Sequence, residues 1–350
     1  MSLPESLGRL RRVERIGAGG FATVWLYHDN ELDSDVAVKA LADNWSQRLD
    51  VRDRFLEEAR ILRRADSDHV VRVYDIGEAD GTPYFVMTYA DLGSIAARLE
   101  NDPQPSLEEI VNLISQAGEG LAVLHAQGVI HRDVKPHNLL LRSNGNGVPR
   151  LLVADLGVAK AMLQASGLTQ VVGTPAYMAP EQATGIGLST RADTHALAAV
   201  AYRMLTGRTV RDDGLAGLID PVAPPPPSSL ADVPPAMDDV LLRALAPDPA
   251  DRWPDIEAFT RALAAAADPE HTLLAPRMVS TSSTTGGRAT TGGRSTTGGP
   301  RAVVDSASKT PDLVSSGPTR SGRPLLLALG VLVMLAVTFG IAYAVTTQLR

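Results

Sequence analysis

The stretch HRDVKPHNLL, residues 131–140, places charged and amide side chains directly before a leucine run that ends at Leu141. Arg132, Asp133, Lys135 and Asn138 supply two cations, an acid and an amide within seven positions, next to a run that favours burial. A solvated loop could hold such residues by chance. Whether the stretch 131–140 has a function therefore depends on which other motifs the chain contains and on their spacing from it.

Composition limits the possible classes of protein. The chain has 350 residues and 44% hydrophobic content, enough for one or two folded units with a substantial core. The net charge of -7 argues against a general nucleic-acid binder, because no basic surplus exists to neutralise phosphates. Cysteine is absent, which excludes disulfides and thiolate metal sites. The N-terminal sequence MSLPESLGRL lacks the apolar segment of a signal peptide, so we expect the first folded part to stay in the cytosol.

The chain divides into two lobes by its hydrophobic patterns. Residues 9–90 contain short β-branched and aromatic runs, such as ATVWLYHD, DVAVKAL, HVVRVYDIG and PYFVMTYA, which predict a strand-rich lobe. Helical spacing from about Arg52 to Arg64 interrupts them. Residues 91–265 are mostly of helical pattern, with Ser106 as a predicted N-cap and Gly128 as a C-terminal stop.

The C-terminal region changes composition. Residues 266–324 are rich in Ser, Thr, Gly and Arg and repeat TTGGRA, TTGGRS and TTGGPR, so we expect a disordered linker. Residues 325–345 are uncharged, and 21 residues of helix would extend roughly 32 Å, close to the hydrocarbon thickness of a bilayer. The alternative is a buried globular helix, but we expect no folded domain after it. We predict a transmembrane helix, followed by a short extracytoplasmic tail at 346–350 and no extracellular sensor domain.

Two features of the first lobe suggest phosphate binding. IGAGGFATVW, residues 16–25, places glycines in a turn between strands, where backbone N–H groups can approach a phosphate closely. Alone, this pattern equally fits a plain hairpin turn, whereas a Rossmann turn would be followed by a helix. Lys39 lies inside a strand pattern, where a solvent-facing lysine is the ordinary interpretation. Glu57 or Glu58 on the following helix could pair with it and place the ammonium over nucleotide phosphates.

Taken together, these motifs resemble the protein-kinase superfamily. GAGGFATV at 17–24, VAVK at 36–39, HRDVKPHN at 131–138, DLG at 155–157 and APE at 179–181 occur in that family's order. The resemblance covers residues 9–265. It implies an α+β, bilobal protein-kinase fold with a strand-rich N-lobe at about 9–90 and a helical C-lobe at about 91–265.

The resemblance also implies roles for individual residues. Asp133 would accept the proton of a substrate hydroxyl, Lys135 would lie near the transferred phosphoryl group, and Asn138 and Asp155 would bind Mg²⁺, or alternatively Mn²⁺. Glu58 is the better match for the partner of Lys39, although Glu57 stays open. The ATP site would contain Ile16, Gly17, Ala18, Gly19, Gly20, Val24, Ala37, Lys39, Met87 as gatekeeper, and the backbone of Tyr89 or Ala90.

Substrate class and regulation follow from the same resemblance. Lys135 and the GTPAYMAPE segment with Thr174 are typical of serine/threonine kinases rather than tyrosine kinases. Arg132 before Asp133 implies regulation by activation-loop phosphorylation, because a partly buried guanidinium requires an anion. Thr169 is the favoured phosphoacceptor and Ser166 the next, with Lys160 as a further cation of that pocket.

The resemblance also implies structural roles for buried charged residues, and the chain departs from the family's usual residues at a few positions. Asp193 would brace the 131–133 segment, and Arg252 would pair with Glu181. Ala22, Leu156 and Thr88 replace the family's usual Gly, Phe and Glu, and the substrate-docking region after Gly207 is short.

We therefore expect a membrane-anchored serine/threonine protein kinase, similar to transmembrane kinases of high-GC actinobacteria, with its kinase domain cytoplasmic. It would use ATP and Mg²⁺, phosphorylate Ser and Thr of proteins, and phosphorylate a second copy of itself in trans. Two alternatives are a catalytically inactive scaffold, which would lack Lys39, Asp133, Asn138 or Asp155, and a small-molecule phosphotransferase, which would lack the APE segment.

Overall fold

The computed structural model describes residues 3–102, 104–145, 147–157, 175–184, 187–211, 214, 216–219 and 221–268. The predicted linker at 266–324 extends beyond residue 268, and most of it lies outside the described residues. The predicted span at 325–345 and the tail at 346–350 also lie outside them. Among the residues that are described, no helix is both long enough and apolar enough to cross a membrane.

The first lobe is an antiparallel sheet of six strands in the order β1-β2-β3-β4-β6-β5. Alternation of β-branched and aromatic residues produces these strands, as the sequence predicts. A short helix and a long helix connect β4 to β5. The elements are β1 Ser6–Leu7, β2 Leu10–Ala18, β3 Ala22–Asp29, β4 Ser34–Leu41, α1 Asp43–Ser46, α2 Leu49–Arg64, β5 Val73–Ala79 and β6 Thr82–Thr88.

Both faces of this sheet are covered. On one face Phe55 of α2 packs against Phe85 of β6, with ring centroids 5.0 Å apart. On the other face the N-terminal segment covers Tyr27, whose hydroxyl donates to the Pro4 carbonyl at 2.7 Å. Burial raises the pKa of the Tyr27 phenol to about 12, because the phenolate would lose its hydration. Residues 3–7 are therefore part of the first lobe.

The second lobe is built around two buried helices, α4 and α6. Ser106 caps α4 by accepting a hydrogen bond from the Glu109 amide at 3.2 Å, and Gly128 follows its end at a φ of 74°. Both predictions for this helix are confirmed. The elements are α3 Ile95–Asn101, α4 Leu107–Ala126, β7 Leu139–Arg142, β8 Arg150–Val153, α5 Pro180–Thr184, α6 Arg191–Thr206, α7 Ala216–Ile219, α8 Ala236–Ala244 and α9 Ile256–Ala267.

The structure corrects two details of the predicted elements. Helix α2 begins at Leu49, three residues before the predicted start, and Arg48 pairs with Asp50 at its first turn. An acidic residue there is also favoured by the helix dipole. Within the lobe predicted to be mainly helical, β7 and β8 form a two-stranded antiparallel ribbon. The leucines after Asn138 form β7, so the apolar run of the opening stretch is a strand.

The β7–β8 ribbon connects the lobes through the backbone. Val71 donates to the Val153 carbonyl at 2.9 Å, and Val153 donates to the His69 carbonyl at 2.9 Å. At the other edge, Leu141 donates to the Gly93 carbonyl at 2.8 Å. The β8 edge of the ribbon is thereby fixed against the first lobe, and its β7 edge is fixed against the segment that follows β6.

Candidate active site

Lys39 is the centre of the site in the first lobe. It lies on β4 opposite Val24 of β3 and Phe85 of β6, and only 8% of the residue is exposed. Its Nζ donates to Glu58 Oε1 at 2.7 Å and also to Asp155. A charged lysine is tolerated in this buried position because two carboxylates compensate it. The alternative of a solvent-facing lysine is therefore wrong.

The two carboxylates also control the protonation of Lys39. Burial alone would lower the pKa of this ammonium, but the charges of Asp155 and Glu58 and their hydrogen bonds outweigh burial and raise it. Lys39 therefore carries a positive charge at every physiological pH. It can act as an electrostatic partner of phosphate and not as a base.

The structure distinguishes the two candidate glutamates on α2. Glu58 is buried and contacts Lys39, whereas Glu57 accepts from Arg60 at 3.4 Å and from Arg64 at 3.3 Å on the exposed side. Adjacent helical positions differ by about 100° around the axis, which accounts for this separation. Glu58 is the partner of Lys39.

A second group of polar side chains lies on the loop before β7. Lys135 Nζ is 3.1 Å from Asp133 Oδ2, and Asn138 Nδ2 donates to the same oxygen and to the Asp133 backbone carbonyl, each at 2.8 Å. Pro136 and Asn138 belong to a 3-10 turn that holds these side chains close together. The carboxylate of Asp133 is thus fixed by an ammonium on one side and an amide on the other.

Asp193 braces this loop from α6, as the resemblance implied. Its carboxylate accepts from the His131 amide at 2.8 Å, from the Arg132 amide at 2.9 Å and from His125 Nε2 at 2.8 Å. The side chain is almost wholly buried. One carboxylate with three donors fixes the backbone that precedes Asp133, since a buried charge is stable only when it is fully hydrogen-bonded.

His131 is a further positioning group that the motif comparison did not single out. Its imidazole is fully buried, with Nε2 at 3.0 Å from the Ala154 carbonyl, and its Nδ1 accepts from the Asp133 amide at 3.3 Å. The proton is therefore assigned to Nε2. His131 connects the loop that carries Asp133 to the strand end that precedes Asp155.

Two residues of the site adopt the left-handed backbone region. Arg132 has a φ of 67° and Asp155 a φ of 63°, conformations that are costly for residues with a Cβ. Gly157 lies against this strained segment and donates to the His131 carbonyl at 3.0 Å, and an added Cβ would lie 3.3 Å from that of Asp133. The glycine of DLG thus permits the two loops to approach closely without displacing either.

Arg132 corrects one expectation. Its side chain is exposed in the structure, not partly buried, while its backbone carbonyl accepts from Gln182 Nε2 at 2.8 Å. Gln182 also accepts from the Ala179 amide at 3.0 Å, so it joins the 131–133 loop to the APE segment. The sequence had shown no signal for Gln182 because a single amide has no motif.

The predicted nucleotide-binding residues line the inner face and edge of the first lobe. Ala37 and Met87 are buried neighbours on β4 and β6, and Tyr89 and Ala90 follow β6 in half-buried positions. Within the loop between β2 and β3, Gly19 donates to the Ala22 carbonyl at 2.9 Å. Ile16, Ala18, Gly19 and Gly20 are exposed, and Gly17 and Val24 are half-buried.

The predicted pair of Arg252 and Glu181 is a buried, two-pronged ion pair. Arg252 Nη1 and Nη2 contact Glu181 Oε1 and Oε2 at 2.7 and 2.8 Å. The guanidinium also donates to the carbonyls of Ala246, Arg191 and Pro247. This full set of acceptors allows a charged side chain with no exposed surface.

Four residues predicted for the activation segment lie outside the described residues, namely Thr169, Ser166, Thr174 and Lys160.

Comparison with known proteins decides the family. The sequence profile described as "Protein kinase domain" matches residues 10–254. The chain belongs to the protein kinase family. Because the match starts in β2 and ends before α9, the family covers both lobes and every described residue of the site.

Individual relatives agree with this membership. The chain is 36% identical to serine/threonine-protein kinase Pkn1 of Myxococcus xanthus over 324 residues, covering 89% of this chain and 43% of Pkn1. It is 31% identical to PknA of Mycobacterium tuberculosis over 356 residues, covering 95% of this chain and 80% of PknA. The kinase domain of M. tuberculosis PknI superposes with a TM-score of 0.62 at 27% identity, covering 77% of this chain and 100% of that domain.

The similarity to these relatives covers only part of their length. The chain spans less than half the length of several curated relatives, 43% of Pkn1 and 45% of PknJ from M. tuberculosis among them. The shared part is a protein kinase domain of the serine/threonine class, a transferase, with a strand-rich N-lobe and a helical C-lobe.

The kinase domain has ligands suited to Mg²⁺. Asp155 and Asn138 offer carboxylate and amide oxygens, the hard ligands that Mg²⁺ prefers. In the described part of the chain, no group of three or more His, Cys, Asp or Glu is arranged to hold a metal. Two protein ligands fit this ion, because Mg²⁺ in phosphoryl-transfer sites takes its remaining ligands from phosphate and water.

Proposed function

We propose that this chain is a membrane-anchored serine/threonine protein kinase that transfers the γ-phosphoryl group of ATP to protein hydroxyls. The observation that carries the proposal is the position of Lys39 between Glu58 and Asp155, beside a loop on which Asp133, Lys135 and Asn138 converge. Phosphoryl transfer depends on positioning and charge neutralisation, and this arrangement supplies both.

Each residue has a defined part in the reaction. Asp133 accepts the proton of the attacking Ser or Thr hydroxyl as its oxygen bonds to the γ-phosphorus. The bond from that phosphorus to the bridging oxygen breaks, and ADP leaves. Lys39 binds phosphate oxygens, and Lys135 neutralises charge on the transferred group. Asp155 and Asn138 would hold Mg²⁺, or Mn²⁺, which neutralises charge on the phosphates.

Substitution of Lys39 and Asp155 tests this assignment. Lys39→Met and Asp155→Asn should each lower kcat/KM for phosphorylation of a generic protein substrate by about 100-fold or more, because each removes a charge that acts on phosphate or metal. Lys309→Met makes the same change at a lysine beyond the residues that match the protein kinase profile and should keep full activity. Near-normal activity of the Lys39 variant would rule out its proposed role.

We further propose that the kinase phosphorylates its own activation segment in trans. Thr169, with Ser166 as an alternative, lies between the DLG and APE segments, and Arg132 presents an exposed guanidinium beside the catalytic loop. A phosphate there would provide the anion for Arg132 and Lys160. The support for this step is sequence order together with the exposure of Arg132.

A mixing experiment separates trans from cis phosphorylation. The full-length Lys39→Met chain is incubated with the active full-length chain, and phosphate on the inactive copy is located by mass spectrometry. Phosphate at Thr169 of the inactive copy supports the proposal, and its absence while the active copy is phosphorylated contradicts it.

Thr169→Ala in the active chain should lower activity without abolishing it, since the catalytic residues remain in place.

Membrane anchoring is proposed from the uncharged stretch 325–345, with the kinase domain on the cytoplasmic side, where ATP is available. Arg320 and Arg323 before that stretch favour the same orientation. Fractionation of cells should place the full chain in the membrane fraction and a variant lacking 325–345 in the soluble fraction. A full chain that remains soluble would contradict anchoring while leaving the kinase proposal intact.

A further inference from the structure

The glycine-rich loop between β2 and β3 is attached to α1 by a tryptophan. Trp45 Nε1 donates to the Gly20 carbonyl at 2.8 Å, and the Trp45 ring stacks on Phe21 at 5.2 Å between centroids and 26° between planes. The backbone strengthens this contact, because Ala42 donates to the Phe21 carbonyl at 2.8 Å. Three contacts of different kinds therefore hold two consecutive residues of the loop.

These contacts matter because they add to the Gly19–Ala22 backbone hydrogen bond, which closes the turn but involves no side chain. Gly19 and Gly20 have no side chains, and both are exposed. Glycine loses more conformational freedom on ordering than any other residue, so an unattached loop of this composition would sample many conformations. The Trp45 hydrogen bond also orients one particular peptide group. In a trans peptide the N–H points opposite to the carbonyl, so fixing Gly20 O on Trp45 directs the Phe21 N–H away from α1.

Trp45 also connects the loop with the helix that carries Glu58. Arg48 donates its amide to the Trp45 carbonyl at 3.0 Å, and its guanidinium lies 5.9 Å from the centroid of the Trp45 ring. Arg48 directly precedes α2 and pairs with Asp50 in its first turn. One side chain thereby joins the glycine-rich loop to the start of the helix whose buried Glu58 holds Lys39.

We propose that Trp45 is a positioning residue for ATP, which pre-orders the glycine-rich loop so that its backbone amides meet the phosphates. This inference rests on the proposed kinase function and adds a residue outside the motifs that predicted the site. The ligand portion concerned is the triphosphate, because the Trp45 hydrogen bond orients a backbone peptide group of the glycine-rich loop, and backbone N–H groups there can approach phosphate closely. The adenine portion contacts a different part of the lobe in the proposed site, at Met87, Tyr89 and Ala90.

The test compares Trp45→Phe with Trp253→Phe in the full-length chain. Trp253 also donates its indole N–H to a backbone carbonyl, that of Val240 at 3.1 Å, but in the second lobe. Both variants lose one hydrogen bond of the same type and retain an aromatic ring. Trp45→Phe should raise KM for ATP roughly two- to tenfold, the range that one hydrogen bond supports, with kcat at saturating ATP changed less than twofold. Trp253→Phe should leave KM for ATP unchanged.

Binding measurements separate loop positioning from a general loss of structure. Trp45→Phe should weaken binding of a non-hydrolysable ATP analogue by a similar factor and leave the affinity for adenosine unchanged, because adenosine has no phosphate. Phe21→Leu removes the stacked ring from the loop side and should show the same selective loss. It provides a second variant should Trp45→Phe fail to fold.

The measurements distinguish a failure of the Trp45 proposal from a failure of the proposed kinase function. Unchanged or tighter binding of the ATP analogue by both variants, or equal weakening of the analogue and adenosine, would overturn the role of Trp45 while the wild-type chain remains an active kinase. A wild-type chain that neither binds ATP nor transfers phosphate would overturn the proposed function and this inference with it.

Discussion

His195 is the most unusual single residue of the second lobe. It lies in α6 without exposed surface, and its Nε2 accepts from Arg211 Nη2 at 2.9 Å. Arg211 is itself buried and donates to the Met178 carbonyl at 2.9 Å. Burial, followed by the positive charges of Arg252 and Arg211, lowers the pKa of the His195 imidazole well below 6.5. The neutral imidazole is the form that can accept from a guanidinium.

The stability of the protein should therefore fall in acid because of His195. Below pH 6.5 the unfolded chain binds a proton at this imidazole that the folded chain does not, so the free energy of unfolding decreases as pH falls. The slope from this group approaches about 1.4 kcal/mol per pH unit. His195→Gln keeps an acceptor for Arg211 without a titrating ring, and urea unfolding between pH 5 and 7 should show a flatter dependence.

Equal slopes for wild type and His195→Gln would contradict this account of His195.

Arg252 gives a second prediction at the scale of a residue. Its replacement by Met leaves Glu181 buried opposite an apolar side chain, and breaking one side of a buried ion pair costs about 3–5 kcal/mol. Chemical denaturation should show this loss. The double variant Glu181→Gln/Arg252→Met should recover part of it, because no buried charge is then left without its partner. A double variant as unstable as the single one would argue against the charge as the cause.

At the scale of elements, α4 contains two glycines with different surroundings. A Cβ on Gly120 would collide with the backbone carbonyl of His69, whereas one on Gly118 would meet the side chain of Thr260. Both glycines are buried where α4 meets its neighbours. Gly120 therefore permits the close approach of α4 to the segment that pairs with β8.

Alanine at these two positions should destabilise the domain to different extents. Gly120→Ala should destabilise the domain by about 1–3 kcal/mol, the usual cost of overpacking, because a backbone carbonyl cannot rotate away. Gly118→Ala should cost less, since Thr260 can change rotamer and alanine gains about 0.8–1 kcal/mol of helix propensity over glycine. Thermal unfolding of the two variants checks the order, and a more stable Gly120→Ala than Gly118→Ala would contradict it.

The elements also show what the sequence could predict. Strand β3 matches its predicted run, and the two predicted ends of α4 are confirmed, because alternation and caps are local signals. The ribbon β7–β8 was missed within a region of helical pattern, since strands of four residues carry too little periodicity. The start of α2 was predicted three residues late.

At the site, motifs identified which residues to expect but not their contacts. Lys39 and Asp155 are 116 positions apart, and no local pattern reports that they touch. The exposure of Arg132 was predicted wrongly, because the burial of a side chain depends on how several segments fold around it. The sequence also did not predict the His195–Arg211 pair or the Trp45 contacts, because each joins residues that belong to no common motif.

At the scale of the whole molecule, binding of ATP should stabilise the full chain. A ligand at 100 times its Kd that binds only the folded state adds about 2.7 kcal/mol. For a domain of this size the midpoint temperature should rise by roughly 5–10 °C with ATP and Mg²⁺. Lys39→Met should show a smaller shift, because it lacks the charge held between Glu58 and Asp155. Thermal scans with ATP and Mg²⁺, and with Mg²⁺ alone as the control, test this, and an equal shift for both chains would contradict it.

The Arg252–Glu181 pair has a consequence for biosynthesis. Glu181 leaves the ribosome 71 residues before its partner, which at typical rates of elongation corresponds to about 4–14 s. During that interval the first lobe and the loop around Asp133 are already synthesised, but the segment after Pro175 lacks its anchor. The buried ion pair that fixes the start of α5 can therefore form only after the end of the second lobe has emerged.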